Sequence, residues 1–224
     1  MVDLSKHGIE TFLREFGYLT AIVSSLKDAL AVYQQYHRLP ITGDVGDEAT
    51  LAHMCQRRCR CPDHPYQQVQ QQVMRWSKPN LTWKFVNYTL DIPQHQISDS
   101  FEKGFGVWSS CTPLNFQEVM VDEKADIEIT FKNIDGQSNV LAQAWFPPVG
   151  RMEFDESEAW SWKLPIGRGA VDLTTVVAHE AGHLIGLEHS NVQGAQMAPV
   201  YAGPKRFLEN DDIRRAQQLY GPRS

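Results

Sequence analysis

Three histidines and a glutamate stand close together in the last third of the chain, in the run His179-Glu180-Ala181-Gly182-His183-Leu184-Ile185-Gly186-Leu187-Glu188-His189. Residues four apart share a helix face, so the imidazoles of His179 and His183 can grip one metal ion. Glu180 follows the first ligand and can reach a water on that metal. Gly186 lets the chain leave the helix through a turn that a Cβ would resist, and His189 can return as a third ligand. Three neutral nitrogen ligands suit zinc and leave a fourth position open for water, as metal-assisted hydrolysis requires. Two stacked surface histidines on an amphipathic helix would explain His179 and His183, but not the glycine and third histidine at fixed spacing.

The elements that must position these residues can be read from periodicity. A helix over about 173–185 carries the first two histidines, and another over 209–220 closes the chain. Near the start, Ile9, Phe12, Leu13 and Phe16 recur at helical spacing, as do Ile22, Leu26, Ala29, Leu30 and Tyr33. A third helix is predicted from Asp47 or Glu48 through Leu51, Ala52 and Met54, after turns at Gly43 and Gly46. Three short helices make a small bundle. A polar, Gln-rich stretch then runs to about Trp76 and, with Pro65, reads as an exposed linker. From Leu81 the pattern turns to strand: Leu81, Trp83, Phe85 and Asn87 alternate with Thr82, Lys84 and Val86. A helix over 97–109 follows, with Phe101, Phe105 and Trp108 on one face. Ile127, Ile129 and Phe131 mark a second strand, and 141–146 a third. Helices mixed with a small sheet predict the α+β class.

Composition sets further bounds. The 224 residues are 42% hydrophobic without a long apolar run, so no membrane span is expected. The net charge of −6 argues against nucleic acid as a partner. No secretory apolar segment follows Met1, so any leader lies outside this chain. Asn80-Leu81-Thr82 and Asn87-Tyr88-Thr89 permit glycosylation in a secreted protein. The cysteines are Cys55, Cys59, Cys61 and Cys111, three crowded and one distant, unlike a disulfide-stapled scaffold.

Met197, in Ala195-Gln196-Met197-Ala198-Pro199, resembles the Met-turn that underlies the zinc in metzincins. Ser190, directly after the third histidine, is the residue matrixins carry there. Phe16-Gly17-Tyr18-Leu19, Trp108-Ser109-Ser110-Cys111-Thr112-Pro113-Leu114, Ala125-Asp126-Ile127-Glu128-Ile129, Asp211-Asp212-Ile213 and Leu219-Tyr220-Gly221 also match matrixin motifs. The chain thus resembles the matrix metalloproteinases nearly end to end. The resemblance implies a metzincin catalytic domain over 81–224, preceded by a three-helix propeptide over 1–66 and an activation linker over 67–80. It implies a secreted zinc endopeptidase in latent form, acting on extracellular proteins or peptides. An activating protease and tissue-inhibitor-type protein inhibitors are the expected partners, and the chain is expected to be a monomer.

Further expectations follow from the resemblance. The family's Pro-Arg-Cys-Gly-x-Pro-Asp segment, whose thiolate blocks the zinc, aligns with 57–63. Arg58, Cys59, Pro62 and Asp63 fit it, with Arg58 and Asp63 able to pair; Arg57 and Arg60 depart from it. Cys61 offers a rival thiol beside Cys59, and a Cys59–Cys61 disulfide is disfavoured by geometry. The family's second, structural zinc is not expected, because Gln143 and Glu153 stand where it has histidines and the loop at Asn133-Ile134-Asp135 is short. One calcium site is expected from Asp135, Asp155 and Glu158 with the carbonyls of Gly136, Ser138 and Val140. Thr175, Pro199, Val200 and Tyr201 align with the walls of the main specificity pocket. A small threonine there suggests a deep pocket for a bulky apolar side chain. The segment 140–145 is the expected edge strand for an extended substrate. Of Asp211 and Asp212, one is expected to bind a new N-terminus after activation and the other to support the Met-turn. Two rival readings are a catalytically silent binding module on the same fold and another zinc peptidase such as an astacin; Ser190 and the 57–63 pattern disfavour the second.

Overall fold

The computed structural model describes residues 2–63 and 74–223. Residues 66–73 of the expected cut window 66–76, and with them half of the 67–80 linker, lie outside the described residues. In chain order the elements are α1 (Lys6–Glu15), α2 (Leu26–Tyr36), α3 (Glu48–Met54), β1 (Arg58–Cys59), β2 (Asn80–Phe85), α4 (Gln94–Ser109), β3 (Asn115–Glu118), β4 (Ile127–Lys132), β5 (Val140–Ala144), β6 (Arg151–Asp155), β7 (Trp160–Ser161), β8 (Val171–Asp172), α5 (Leu173–Leu184) and α6 (Asn210–Tyr220). The α+β expectation holds.

Side-chain caps set the first three helix starts. Ser5, Ser25 and Asp47 accept from the backbone N–H three residues on, which satisfies a donor the helix cannot. These helices share one apolar cluster built on Ile9, Leu13, Phe16, Tyr18, Leu30, Tyr33 and Met54. Ile22, expected in the second helix, is instead 86% exposed in the turn before α2, which starts at Leu26 behind its Ser25 cap. Its helical spacing is coincidental, because the Ser25 cap ends any upstream helix register.

A second, larger cluster is centred on Trp83, Phe101, Phe105, Trp108 and Phe154. Its sheet runs β1-β5-β6-β4-β2-β3 among the described residues. In β4, Ile127, Ile129 and Phe131 face inward while Glu128 and Lys132 face out, the period of two that a half-buried strand requires. α4 begins at Gln94, three residues before the predicted start, and β5 stops at Ala144, short of Phe146. The strand predicted through Asn87 ends at Phe85, yet Asn87 still holds β4: its amide donates to Phe131 O at 2.7 Å and accepts from Phe131 N at 2.8 Å. That sequon asparagine is therefore committed to the fold. Trp76 also packs on this larger cluster, its Nε1 donating to Leu184 O at 2.7 Å.

The two clusters meet through the segment after α3. β1 pairs in parallel with β5, so 140–145 is not an open edge in this chain. Behind it, a buried polar group joins the bundle to the segment. Tyr18 Oη donates to Asp63 Oδ2 at 2.5 Å and lies 3.0 Å from His37 Nε2, and Tyr33 Oη lies 2.6 Å from His53 Nδ1. The His37 and His53 rings stand 4.4 Å apart.

α4 packs across α5, and its two glycines differ in what surrounds them. A Cβ on Gly104 would strike Val177, 2.8 Å from its Cβ and 3.0 Å from Ala178 N, whereas one on Gly106 would meet open space. We expect Gly104→Ala to cost about 1–3 kcal/mol through overpacking, and Gly106→Ala to gain up to about 1 kcal/mol from helix propensity. Denaturant unfolding of the two variants checks both signs.

The histidine pair makes a second prediction. Burial, then His37 and Arg58, push His53 down from 6.5 to about 4, with Asp63 opposing. Burial likewise lowers His37, against the pull of Asp63. Between pH 6.5 and about 4 the unfolded chain binds protons that the folded bundle refuses, so stability is full above 6.5 and falls as pH drops through that window. The unfolding midpoint should therefore fall between pH 7 and 5, and His53→Gln should flatten that slope.

Candidate metal centre

The histidine run folds as its spacing dictates. Asp172 caps α5, accepting from Thr175 N at 3.2 Å and from Thr175 Oγ1 at 2.6 Å, and is itself held by Arg206, Nη2 to Oδ1 at 2.5 Å. His179, Glu180 and His183 lie on this helix, fully sheathed by the larger core. The helix ends at Leu184, and Gly186, at φ +99°, turns the chain back. That left-handed backbone, against which the Met74 carbonyl packs, leaves no room for a side chain.

His189 returns to the site, and its Nε2 lies 3.2 Å from His179 Nε2. All three Nδ1 atoms are engaged elsewhere: His179 with Gln196 O at 2.8 Å, His183 with Leu187 O at 2.7 Å, and His189 with Asp63 Oδ1 at 2.7 Å. Oxygen acceptors at Nδ1 place the proton there and turn each Nε2 lone pair toward one point. Burial, followed by the neighbouring imidazoles, lowers His179 well below its ordinary value, and burial takes His189 to about 4, so both are neutral as ligands must be.

Cys59 Sγ completes the set, with its ligand atom and those of His179, His183 and His189 all within 4.8 Å of one another. Its sulfur lies 3.5 Å from His183 Nε2. Two imidazole nitrogens on one tetrahedral zinc stand about 3.3 Å apart, and a thiolate and an imidazole about 3.5 Å. The observed separations fit that ion. Glu180 is wholly buried beside the set, and neither of its oxygens accepts a hydrogen bond from a described residue. Burial, then negative charge on Cys61, push its carboxyl up to about 8.

Met197, fully buried, lies below the histidines, and the Cβ missing from Gly182 would strike its sulfur. Asp212 holds this turn, accepting from Gln196 N at 2.7 Å and Met197 N at 3.1 Å. Asp211 accepts from Ser190 Oγ at 2.7 Å and pairs with Arg214 at 2.6 Å. Thr175, Pro199, Val200 and Tyr201 all line one cavity of about 110 Å³ beside His179 and Glu180. The Thr175 hydroxyl is spent within it, donating to Asp172 and accepting from Lys205 N at 2.7 Å.

Residues 57–60 lie in the groove between β5 and residues 199–201. Arg58 N donates to Asn139 O, Cys59 N to Pro199 O and Arg60 N to Ala142 O, each at 3.0 Å, and Tyr201 N donates to Arg57 O at 2.9 Å. Arg58 Nη2 meets Asp63 Oδ1 at 2.7 Å, both fully shielded, and its guanidinium lies 3.5 Å over the Phe16 ring. Burial opposes charge on Asp63, but Arg58 and the histidines hold its carboxyl well below the usual range.

Asp135, Asp155 and Glu158 gather on neighbouring loops. Asp155 accepts from Asp135 N at 3.1 Å and Gly136 N at 3.2 Å, Glu158 accepts from Ser138 N, and Asp135 accepts from Val140 N at 3.2 Å. Burial raises Asp135 and Glu158, and the charges of this acidic group add to the rise. Arg57 reaches this group, 3.5 Å from Glu158 Oε2. At the position of the family's structural zinc, Gln143 Nε2 donates to Glu153 Oε2 at 2.6 Å, and Lys132 Nζ joins the same oxygen at 2.7 Å. Sequence reasoning missed several supporting groups. The carbonyls of Leu187 and Gln196 carry no side-chain signal, whereas Asp172 three residues before Thr175 is a readable helix cap.

Comparison with known proteins places this geometry. The family described as Matrixin matches residues 75–221. Matrix metalloproteinase-19 of Homo sapiens is 35% identical over 95% of this chain and 45% of its own length. Macrophage metalloelastase of Rattus norvegicus is 37% identical over 88% of this chain and 44% of its own. Matrix metalloproteinase-C of Caenorhabditis elegans is 31% identical over 98% of this chain and 44% of its own. The chain spans less than half the length of these relatives. A histidine triad with a buried glutamate, a supporting methionine turn and these matches give one answer: the chain belongs to the matrixin family, the matrix metalloproteinases.

Proposed function

We propose that this chain is the latent form of a secreted, extracellular zinc endopeptidase, with residues 1–66 as propeptide, 67–80 as activation linker and 81–224 as catalytic domain. The observation that carries the reading is the closure of Cys59 Sγ with His179, His183 and His189. It puts a thiol where a hydrolase must admit water, and the relatives named above are metalloproteinases.

Zinc, when bound, supplies Lewis-acid polarisation of the scissile carbonyl and acidifies the attacking water. The chain's own groups do the rest. The three imidazoles hold the ion, and the carbonyls and carboxylate at their Nδ1 atoms fix their orientation. Glu180 takes the water proton and returns it to the leaving amine. After the latency segment leaves, β5 and the backbone of 199–201 offer the groups that now bind Arg57 to Arg60, so an extended peptide would pair there. The cavity lined by Thr175, Pro199, Val200 and Tyr201 would take an apolar side chain of that peptide. Cleavage between residues 66 and 76 by an activating protease would free the segment, and Asp211 or Asp212 would receive the new N-terminus. Asp212 is buried and holds the Met-turn, whereas Asp211 keeps some exposure, which favours Asp211. Tissue-inhibitor-type proteins would compete for the same groove, and the working form would be a monomer.

One zinc is proposed, because the Gln143–Glu153–Lys132 bridge already joins the strands that a second zinc would clip. One calcium is proposed at Asp135, Asp155 and Glu158 with the carbonyls of Gly136, Ser138 and Val140, since a divalent cation would offset the mutual repulsion of three neighbouring carboxylates.

The test is hydrolysis of a quenched peptide library by the intact chain, before and after limited trypsin, with and without a zinc chelator. Latency relieved by trypsin and abolished by chelator is expected; silence throughout in zinc-loaded chain would favour a binding module. In the cleaved chain, Glu180→Gln should lower kcat by about 10²–10⁴-fold while metal analysis still finds zinc. Asp63→Ala unpairs Arg58 and frees His189, a loss of about 3–5 kcal/mol for a broken buried pair. The uncleaved variant should hydrolyse peptide without trypsin.

A further inference from the structure

The latency segment brings two thiols into the site, and the reading above uses one. Cys61 Sγ closes with Cys59, Glu180 and His183, these four ligand atoms lying within 4.8 Å of one another. Cys59 and Cys61 are 5% and 6% exposed. Cys61 N donates to Cys59 Sγ at 3.3 Å, and the Cys61 thiol donates to Ala144 O on β5 at 3.2 Å. Between them, Arg60 turns the other way, its Nε 3.0 Å from Glu15 Oε1 of α1. The strand ends at Cys59 and the chain bends through Arg60 and Cys61, which brings Cys61 N onto Cys59 Sγ, turns the second thiol toward Glu180 and His183, and sends Arg60 to the bundle. An arginine between the two thiols is tolerated because its side chain leaves the groove. The two thiols are not equivalent. Cys59 closes with all three imidazoles, whereas Cys61 sits on the Glu180 side and reaches His183 alone.

We propose that Cys61 is a second latency thiol, which covers Glu180 and His183 while Cys59 completes the imidazole set, and which takes over as metal ligand when Cys59 is lost. This rests on the zymogen reading and deepens it. Thiolates are strong zinc ligands, and a sulfur already beside His183 needs only a short shift to replace its neighbour. Modification of one thiol then leaves the site closed, and opening requires loss of both or removal of the whole segment.

The test compares intact, zinc-loaded wild type, Cys59→Ala, Cys61→Ala and the double variant. Each is exposed to iodoacetamide under native conditions, with alkylation mapped by mass spectrometry, and each is assayed on a quenched peptide. Cys55, exposed, marks free reactivity, and Cys111, buried against Trp108 O, reports an intact fold. In Cys59→Ala, Cys61 should stay protected like Cys111, and cobalt in place of zinc should keep a thiolate-to-metal charge-transfer band. Its hydrolysis should run about tenfold below the double variant, as follows if roughly nine chains in ten keep a closed site. The proposal is overturned if, with Cys111 still protected, Cys61 in Cys59→Ala alkylates as fast as Cys55 and activity equals that of the double variant. If the double variant and trypsin-cleaved wild type are both inactive, the endopeptidase reading fails, while Cys61 protection and the cobalt band still decide the role of the second thiol.

Discussion

Asp63 has no exposed surface, and a carboxylate in that position is tolerable only if its charge is matched on every side. Arg58 meets one oxygen at 2.7 Å, His189 shares that oxygen at 2.7 Å, and Tyr18 holds the other at 2.5 Å. One group thereby ties together the helical bundle, the segment 57–63 and His189 of the larger core. The contacts are interdependent: if the segment lifts, Arg58 loses its partner, His189 loses the acceptor that orients it, and Tyr18 keeps only His37. That interdependence explains how a strand pairing of two residues can hold a segment of this length in the groove.

The metal centre itself depends on a different constraint, close packing without side chains. Gly104 and Gly182 let α4, α5 and the Met197 turn approach until no Cβ fits between them, and Trp108 bridges the gap by donating to Ala178 O at 2.8 Å. His179 and His183 are thus mounted on a helix that cannot tilt without breaking core contacts. Rigid mounting is what lets three nitrogens meet at separations set by a metal rather than by their own flexibility.

Two departures from the family's latency pattern gain a physical account. Arg57 extends along the groove to Ser138, Gly169 and Glu158, placing a cation beside the acidic loops. Arg60, in the bend that follows, reaches Glu15 of the bundle. A proline and a glycine at these positions could make neither contact, so this segment is held by side-chain charge where the family pattern relies on backbone shape.

Local chemistry was legible in the sequence. The four-residue spacing of His179 and His183, the turn at Gly186, the return of His189 and the alternation in β4 are properties of a few adjacent residues, and local geometry enforces them wherever they occur. Helix presence was readable for the same reason, while Ile22 shows the limit, since a capping serine outweighs coincidental spacing. What only the tertiary structure decided are contacts between distant residues: β1 lying parallel on β5, Asp63 reaching His189, Cys61 turning toward Glu180, and the Gln143–Glu153–Lys132 bridge. No periodicity encodes these, because the first three depend on how the two clusters face each other across the groove and the last on how β4, β5 and β6 pair. The sequence by itself determined which atoms could hold a metal; the packing of one cluster on the other decided which thiols and carboxylates stand guard over it.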